Sequence, residues 1–192
     1  MELIKHRKKG QVESNWTLAH SKDDIEHIID MAEYNFQKEV EGILTVDSNV
    51  FRKHLTVATT IQSFDRSKEF IAICRTDAWE KTTVQEFCLG VPMAYCWFDR
   101  GGYTTYSNEE ISNAKFHHVD LQLPARLRVR LINEMIDQHI LWAHRWGIPV
   151  VCSTSIRAEH DGFMKIHKKR GFTVNGSYAW IRTEKGMECL TK

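Results

Sequence analysis

The stretch FHHVDLQL, residues 116–123, contains side chains whose types and spacing could carry out proton transfer. Side chains alternate along a β-strand, so Phe116, His118, Asp120 and Gln122 would share one face of it. An imidazole titrates near neutral pH and can take a proton from a nucleophile, and a carboxylate about 7 Å along the strand can orient it. We therefore predict His118 and Asp120 as an acid–base pair. The alternative is that both side chains only line a polar face of the sheet beneath a helix.

A second candidate site follows in PARLRVRL, residues 124–131. Junctions between a strand and a helix bind phosphate through free backbone N–H groups and the helix dipole, usually with glycine in the loop. This junction has no glycine, but Arg126, Arg128 and Arg130 could contact phosphate through their guanidinium groups. The alternative is that the three arginines form the solvated face of a helix whose other face is apolar.

Other chemical groups give weaker signals. Glu109 and Glu110 lie in a polar segment, residues 99–112, that we expect to be an exposed loop, and they could bind a cationic amine or simply be solvated. The ten histidines show no HxxxH or HxH spacing, so no metal site is predicted. The five cysteines form no CxxC pair, which favours free thiols in a reducing compartment and predicts a cytoplasmic location.

The elements that must position these residues follow from hydrophobic periodicity and helix-capping signals. Helices are expected at 21–37, 47–64, 126–146 and 160–170, with Gly147 and Gly171 ending the last two. Strands are expected at 12–20, 69–77, 85–99, 113–123, 148–156 and 172–182. The resulting order, β-α-α-β-β-β-α-β-α-β, predicts an α+β fold of three layers with helices on both faces of the sheet.

Length and composition restrict the class of protein. With 192 residues, 42% hydrophobic and 27% charged, the chain fits one ordinary globular domain spanning residues 1–192, with a basic tail at 1–11 and a C-terminal tail at 186–192. No apolar run approaches the ~20 residues that a membrane-spanning helix needs. A net charge of +1 argues against nucleic acid as a partner, although RLRVR and KIHKKR are locally basic.

Two stretches resemble the GNAT superfamily of N-acetyltransferases, which uses the same order of elements. FMKIHKKRGF matches the family's C-terminal helix at Lys169, Gly171 and Phe172, and the distance from Pro124 to Gly147 fits the family without a gap. The resemblance implies a GNAT-like fold with a mixed sheet of about six to seven strands. It also implies acetyl-CoA as cofactor and a primary amine, of a small molecule or peptide, as acetyl acceptor.

The family's pyrophosphate loop, Arg/Gln-x-x-Gly-x-Gly/Ala, falls on Leu127, Arg130 and Ile132, and all three depart from the pattern. The resemblance implies that the backbone of Leu121, Gln122 and Leu123 holds the pantetheine arm. The phosphates would then meet side chains in place of a glycine cradle: Arg126, Arg128 and Arg130.

Three further positions follow from the same resemblance. His118 corresponds to a histidine that serves as base in serotonin-type N-acetyltransferases, with Asp120 to orient it. His167 stands where the family commonly has a tyrosine that protonates the departing thiolate, and an imidazole can also act as an acid. The alternative for His167 is one more residue of a basic surface helix. His160 stands where the family often has asparagine.

The departures leave a second function open. The chain would then be a catalytically inactive GNAT-fold protein with a binding or structural role, similar to GNAT-like proteins of tailed phages, some of which are packaged in the virion. Its partner in that case would be another protein or a second copy of itself. Direct nucleic-acid binding ranks lowest because the overall charge is close to neutral.

Overall fold

The computed structural model describes residues 14–39, 47–76, 90–155 and 161–175. Within these ranges the chain forms five strands and four helices. In chain order they are β1 Ser14–Leu18, α1 Lys22–Glu39, α2 Ser48–Phe64, β2 Glu69–Thr76, β3 Pro92–Thr104, β4 Ser107–Val119, α3 Ala125–Arg145, β5 Val150–Ser153 and α4 Asp161–Lys169.

The five strands form one mixed sheet in the order β1-β2-β3-β4-β5. The first four are antiparallel neighbours, and β4 and β5 run parallel. A parallel neighbour needs a crossover connection, which α3 supplies between β4 and β5. The predicted α+β class and mixed sheet are confirmed, with five strands in the described residues against the six to seven expected.

Each face of the sheet carries its own apolar core, as the predicted three layers require. Alternation along β2 sends Ile71 and Ile73 to one face and Phe70, Ala72 and Cys74 to the other. The first face packs against buried residues of α1 and α2, and the second against buried residues of α3. Strands covered on both faces contain continuous apolar runs, which is why β2 and β3 were recognisable from sequence.

Helix ends follow their local signals. Ser21 and Asp24 form a reciprocal capping box at the start of α1, with hydrogen bonds of 2.9 and 3.0 Å. The Asp47 side chain accepts hydrogen bonds from two amides in the first turn of α2. Gly147 and Gly171 have φ of +67° and +87°, the left-handed conformation that glycine adopts without strain just past a helix. These predicted boundaries are confirmed.

The predicted loop at residues 99–112 is wrong, because this segment is the extended end of the β3–β4 hairpin. Register shifts interrupt the ladder there, and Gly101 has φ of +88°. The Arg100 side chain bridges the two strands with bonds of 2.7 and 2.6 Å to the Glu110 carboxylate. Polar composition pointed to a loop, but a two-stranded ribbon exposed to water on both faces also tolerates polar residues.

Two predicted strands differ from the structure. The strand expected at 113–123 ends at Val119, because Asp120 begins a turn that leads to Pro124. The strand expected at 172–182 lies mostly outside the described residues, and 172–175 has no regular structure. The expected start of β3 at residue 85 also lies outside the described residues, and the described strand begins at Pro92.

Candidate functional site

The sheet opens between its two parallel strands. The β4–β5 ladder begins at Ile111 and Val150 and ends at Ala114 and Ser153, while β4 continues for five residues to Val119. Among the described residues, no strand pairs with this side of β4 beyond Ala114. Backbone N–H and C=O groups there are available to an extended ligand, which could add to the sheet as a further strand does.

The N-terminus of α3 lies immediately beyond this opening. Pro124 is its N-cap residue and provides no side-chain hydrogen bond, and the first turn contains no acidic residue. The other three helices differ, since α1 and α4 have aspartates in their first turns and α2 has Asp47 as its cap. A helix of 21 residues with an uncapped N-terminus directs unpaired amides and a positive dipole end outward, which favours an anion.

The three arginines at this helix end have different surroundings. Arg126 is exposed and Arg128 is half-buried. The Arg130 Nε lies 3.5 Å from an oxygen of Glu134, a buried carboxylate that also accepts bonds from the Ser14 hydroxyl and the Trp16 indole. Arg126 and Arg128 are therefore the better placed of the three to meet an anion.

Two of the three positions that correspond to the GNAT pyrophosphate loop in the sequence resemblance contribute to the apolar core in this structure. Leu127 and Ile132 are partly buried and pack against the apolar core beneath α3. Because these side chains occupy the helix face toward the sheet, any phosphate contact at this end must come from the first amides of α3 and from arginine side chains.

His118 lies on the α1–α2 side of the sheet and is 1% exposed. Its ring stacks on Tyr95 at 4.9 Å between centroids and meets the edge of Phe36 at 5.9 Å. Phe116 shares this face, as predicted, but the surroundings are aromatic rather than polar. Phe36 is in the last turns of α1 and Phe51 in the first turn of α2, so His118 lies beneath the end of the helix pair where the two helices connect.

Asp120 and residues 121–123 form a turn, so the predicted polar row does not extend past His118. The Asp120 amide donates to the Met93 carbonyl at 2.9 Å, and its carboxylate accepts the Gln122 amide at 2.8 Å. In this turn Gln122 is exposed, whereas Leu121 and Leu123 are half-buried and Leu123 packs against the α3-side core. The predicted orienting carboxylate is thus used in the structure to shape the turn before α3.

His167 lies on α4, on the opposite side of β4 from His118. Its ring is 1% exposed, contacts Phe163 and Phe172, and lies 6.0 Å from the ring of His117. The Nδ1 atom lies 3.0 Å from the Phe163 carbonyl oxygen, which requires N–H at Nδ1 and leaves a lone pair on Nε2. Burial lowers the pKa of His167, although the bond to the Phe163 carbonyl opposes this effect.

Sequence reasoning missed two histidines beside His167. His117 of β4 and His139 of α3 have rings 5.9 Å apart, and His139 stacks on Phe98 at 4.1 Å. His139 is four residues after the buried Met135, so an imidazole on the apolar face of the predicted helix was the signal available. His117 lies next to His118 in β4, so strand alternation directs it to the opposite face, beside Phe98 and His139.

The remaining predicted groups do not join a site. Glu110 is bound to Arg100, and Glu109 is exposed on the hairpin. His160, the tail at 1–11 and the tail at 186–192 lie outside the described residues. Within the part of the chain that is described, no cluster of three or more His, Cys, Asp or Glu side chains is arranged to bind a metal, and none of the helices could cross a membrane.

No protein-family model matches the chain, and no curated protein matches it by sequence. Solved structures do match. Aminoglycoside 6'-N-acetyltransferase AAC(6')-Ih from Acinetobacter baumannii aligns over 88% of this chain and 97% of its own, with a TM-score of 0.60 and 11% identity. AAC(6')-Iy in complex with a CoA-containing bisubstrate analogue aligns over 88% and 97%, with a TM-score of 0.58 and 13% identity.

A predicted acetyltransferase from Clostridium acetobutylicum, solved with acetyl-CoA, aligns over 90% of this chain and 97% of its own, with a TM-score of 0.59 and 14% identity. The chain therefore has the fold of the GNAT acetyltransferases, as the sequence resemblance implied. Identities this low establish the fold alone, because one fold can support many functions. Nothing in these matches favours the alternative of a phage virion component.

Proposed function

We propose that the chain binds acetyl-CoA and transfers the acetyl group to a primary amine. The observation that carries the proposal is the opening of the sheet where the β4–β5 ladder ends at Ala114 and Ser153 and β4 continues to Val119. Two of the structures with the same fold were solved with acetyl-CoA or a CoA-containing analogue. In this chain the opening leads directly to the helix terminus best suited to an anion.

The residues around the opening fit the parts of acetyl-CoA. A pantetheine arm is an extended chain with two amides, which matches the backbone of β4 after Ala114 and of residues 121–123. A pyrophosphate matches the uncapped start of α3, with Arg126 and Arg128 beside it and Arg130 one turn further on. When bound, acetyl-CoA supplies the acetyl group as an activated thioester.

His118 is the proposed base. A protonated amine cannot attack a carbonyl, so a neighbouring group must take its proton, and an imidazole is suited to this near neutral pH. The half-buried rings of Phe36, Phe51 and Phe116 pack together on the side of His118 that faces the connected end of α1 and α2. An acceptor amine attached to an apolar or flat group fits this aromatic lining best.

Asp120 contributes through the turn in this proposal. By accepting the Gln122 amide, its carboxylate fixes the backbone of residues 121–123 between β4 and α3. A shift of this turn would move both the end of β4 and the first amides of α3. Asp120 therefore acts as a positioning residue.

His167 is the proposed proton donor on the opposite side of β4. Its neutral ring has the proton on Nδ1, bound to the Phe163 carbonyl, so the donating form requires a second proton on Nε2. Burial lowers the pKa of His167, and the fraction of this charged form therefore grows as the pH falls below neutrality.

The structure also suggests where the protein works. Cys96 is a buried free thiol, and Cys152 is a half-buried free thiol. Free cysteines of this kind persist in reducing compartments, so we place the activity in the cytoplasm.

Calorimetric titration with acetyl-CoA, paired with thermal unfolding, tests the binding step. A ligand that binds only the folded state raises stability by RT ln(1 + [L]/Kd), so a rise in Tm that grows with acetyl-CoA concentration is expected. Acetyl-pantetheine, which lacks the phosphates, should stabilise much less. If acetyl-CoA at a concentration about 100 times a micromolar Kd gave no heat of binding and no rise in Tm, the proposal would be ruled out. Release of free CoA thiol in the presence of a panel of primary amines then tests transfer.

A further inference from the structure

Three imidazoles from three different elements meet between β4, α3 and α4. The ring of His117 lies 5.9 Å from that of His139 and 6.0 Å from that of His167. Each ring has one buried nitrogen with no hydrogen-bond partner among the described residues: Nε2 of His117, Nδ1 of His139 and Nε2 of His167. Buried polar atoms nearly always have partners, so three orphaned nitrogens in one cluster call for a physical role.

In His139 and His167, hydrogen bonds determine which ring nitrogen carries the proton. The single hydroxyl proton of Ser112 is donated to the Asp99 carbonyl at 2.9 Å, so the His139 Nε2, 2.6 Å away, must donate to the Ser112 oxygen. His167 donates from Nδ1 to the Phe163 carbonyl. The orphaned Nδ1 of His139 and Nε2 of His167 therefore carry lone pairs, and each can accept a proton.

The attachment of α4 depends on this cluster. His167 is the buried residue of α4, and its contacts run through Phe163, Phe172 and the ring of His117. Arg170, just after α4, adds bonds of 2.9 Å to the Asn133 side chain and 2.7 Å to the Asp137 carboxylate on α3, and this ion pair is partly exposed. Exposed ion pairs contribute little, so the buried aromatic and imidazole contacts dominate the docking of α4.

The charged groups around the cluster do not favour further positive charge. On α4 itself the charged residues are Asp161 in the first turn and the cations Lys165, Lys168 and Lys169. Helix α3 contributes His139 to the cluster, and its Asp137 is bound to Arg170. Strand β4 contributes His117 and the Ser112 hydroxyl, which contacts His139. Strand β5 contributes the Ser153 hydroxyl, 3.4 Å from His117, and β3 contributes the ring of Phe98.

We infer that His117, His139 and His167 form an acid-sensitive contact that docks α4 while at most one ring is charged and releases it when two or more become protonated. Two cations about 6 Å apart in a buried site repel each other, and each also loses its hydration. Because α4 contributes one of the three rings and has few other buried contacts, release of α4 precedes unfolding of the sheet.

The expected direction follows from linkage. Burial lowers the pKa of His117 well below its usual value, and the charges of His139 and His167 lower it further. Burial and then His167 lower the pKa of His139 to about 3. A released or unfolded α4 thus binds more protons than the docked one below about pH 6.5, so docking weakens progressively as the pH falls through that value.

Hydrogen exchange measured by mass spectrometry tests this inference on the whole chain, without any acetyl-CoA. After correction for the intrinsic pH dependence of exchange, protection of α4 amides should fall at least ~10-fold between about pH 7.5 and 5, while α2 amides change less than ~3-fold. Equal protection of α4 at both pH values would overturn the inference. Since no activity is measured, a negative result leaves the proposed transferase function untouched, and failure of that function leaves this inference standing.

A double variant, His117→Phe with His139→Phe, keeps two rings in place but removes two of the three protonation sites. It should lose most of the pH dependence of α4 protection, whereas His54→Gln and His144→Gln, which change exposed histidines, should keep all of it. An unchanged pH dependence in the double variant would contradict the inference. If that variant does not fold, NMR titration of the wild-type imidazoles decides: at most one charged ring before the α4 resonances change supports it, and ordinary titration of all three near pH 6.5 overturns it.

Discussion

Asp24 and Arg75 form an ion pair of 2.6 Å in which both side chains are only 6% exposed. The carboxylate also closes the capping box of α1, accepting the backbone amides of His20 and Ser21. This ion pair therefore attaches the start of α1 to β2, next to β1, which is an edge strand of the sheet that the described residues form. Helix α1 in turn places Phe36 over His118, so the pair supports the candidate site from the far end of the helix.

Asp24→Asn should destabilise the protein by about 2–4 kcal/mol, because it leaves the Arg75 charge buried without its partner and weakens the capping box. Burial alone would raise the pKa of Asp24, but hydrogen bonds from Ser21, His20 and Arg75 outweigh it and lower the pKa to about 2. A carboxyl group with a lowered pKa stabilises the fold above its unfolded pKa, and this contribution disappears as the pH falls from about 4 to 2.

Urea unfolding of this variant across that pH range is the measurement. The difference in the free energy of unfolding between wild type and Asp24→Asn should be largest near neutral pH and should become smaller below about pH 4. Asp23→Asn, which changes the exposed neighbour in the same turn, is the matched control and should cost less than ~1 kcal/mol. Equal losses of stability in the two variants would show that the buried ion pair adds nothing beyond the interaction of a carboxylate with the dipole of α1.

The arginines at the start of α3 give a prediction about the ligand. If Arg126 and Arg128 contact phosphate, the double change to Gln should weaken acetyl-CoA binding by roughly 30- to 900-fold, at about 1–2 kcal/mol for each charge-assisted contact. Binding of acetyl-pantetheine should be unaltered, because it has no phosphate. Calorimetry at two salt concentrations is the measurement, and the wild type should show the steeper salt dependence.

The control removes the same charge elsewhere, with Arg66 and Arg145 both changed to Gln. Both are exposed and lie away from the start of α3. Acetyl-CoA affinity in this control should stay within ~2-fold of wild type at moderate salt. Loss of affinity in both double variants would mean that net charge, rather than contact at the α3 terminus, governs binding.

His118 gives a prediction about catalysis. His118→Phe keeps a ring between Tyr95 and Phe36 and should leave Tm within a few degrees of wild type. Loss of a general base lowers kcat by about 10²- to 10⁴-fold, so amine acetylation should nearly stop while acetyl-CoA still binds. Raising the pH should partly restore the rate, since more of the amine is then unprotonated.

The exposed His144→Gln serves as comparison for His118→Phe and should keep full activity. Steady-state kinetics of CoA release over a range of pH give both kcat and KM for the two variants. A fully active His118→Phe would exclude His118 as the base.

Local signals in the sequence predicted most of the fold. Capping residues and glycines located the helices, and apolar runs located β2 and β3, because these features act within a few residues of chain. The hairpin at Arg100 and Glu110 escaped prediction since its stability comes from pairing across the chain rather than from apolar alternation.

The candidate site was harder to predict, and only part of the reason is the same. Asp120 follows the strand pattern in the sequence, yet its carboxylate forms a local turn, so the polar row ends at His118. The cluster of His117, His139 and His167 forms only when β4, α3 and α4 pack together, and no spacing in the sequence reveals it. Long-range packing decides the second outcome, whereas a local turn decides the first.

Glu134 provides the last prediction, because it is a buried carboxylate in the middle of α3 that ties β1 to the helix. It accepts the Ser14 hydroxyl at 3.0 Å and the Trp16 indole at 2.9 Å, and Arg130 lies 3.5 Å away. Glu134→Gln replaces one accepting oxygen by an NH₂ group that faces a donor, so one bond is lost and a buried donor is left unsatisfied. The expected cost is about 1–3 kcal/mol in denaturant unfolding. Glu109→Gln on the exposed hairpin should change stability by less than ~0.5 kcal/mol, and a similarly small effect at Glu134 would show that β1 is held to α3 by the Trp16 packing alone.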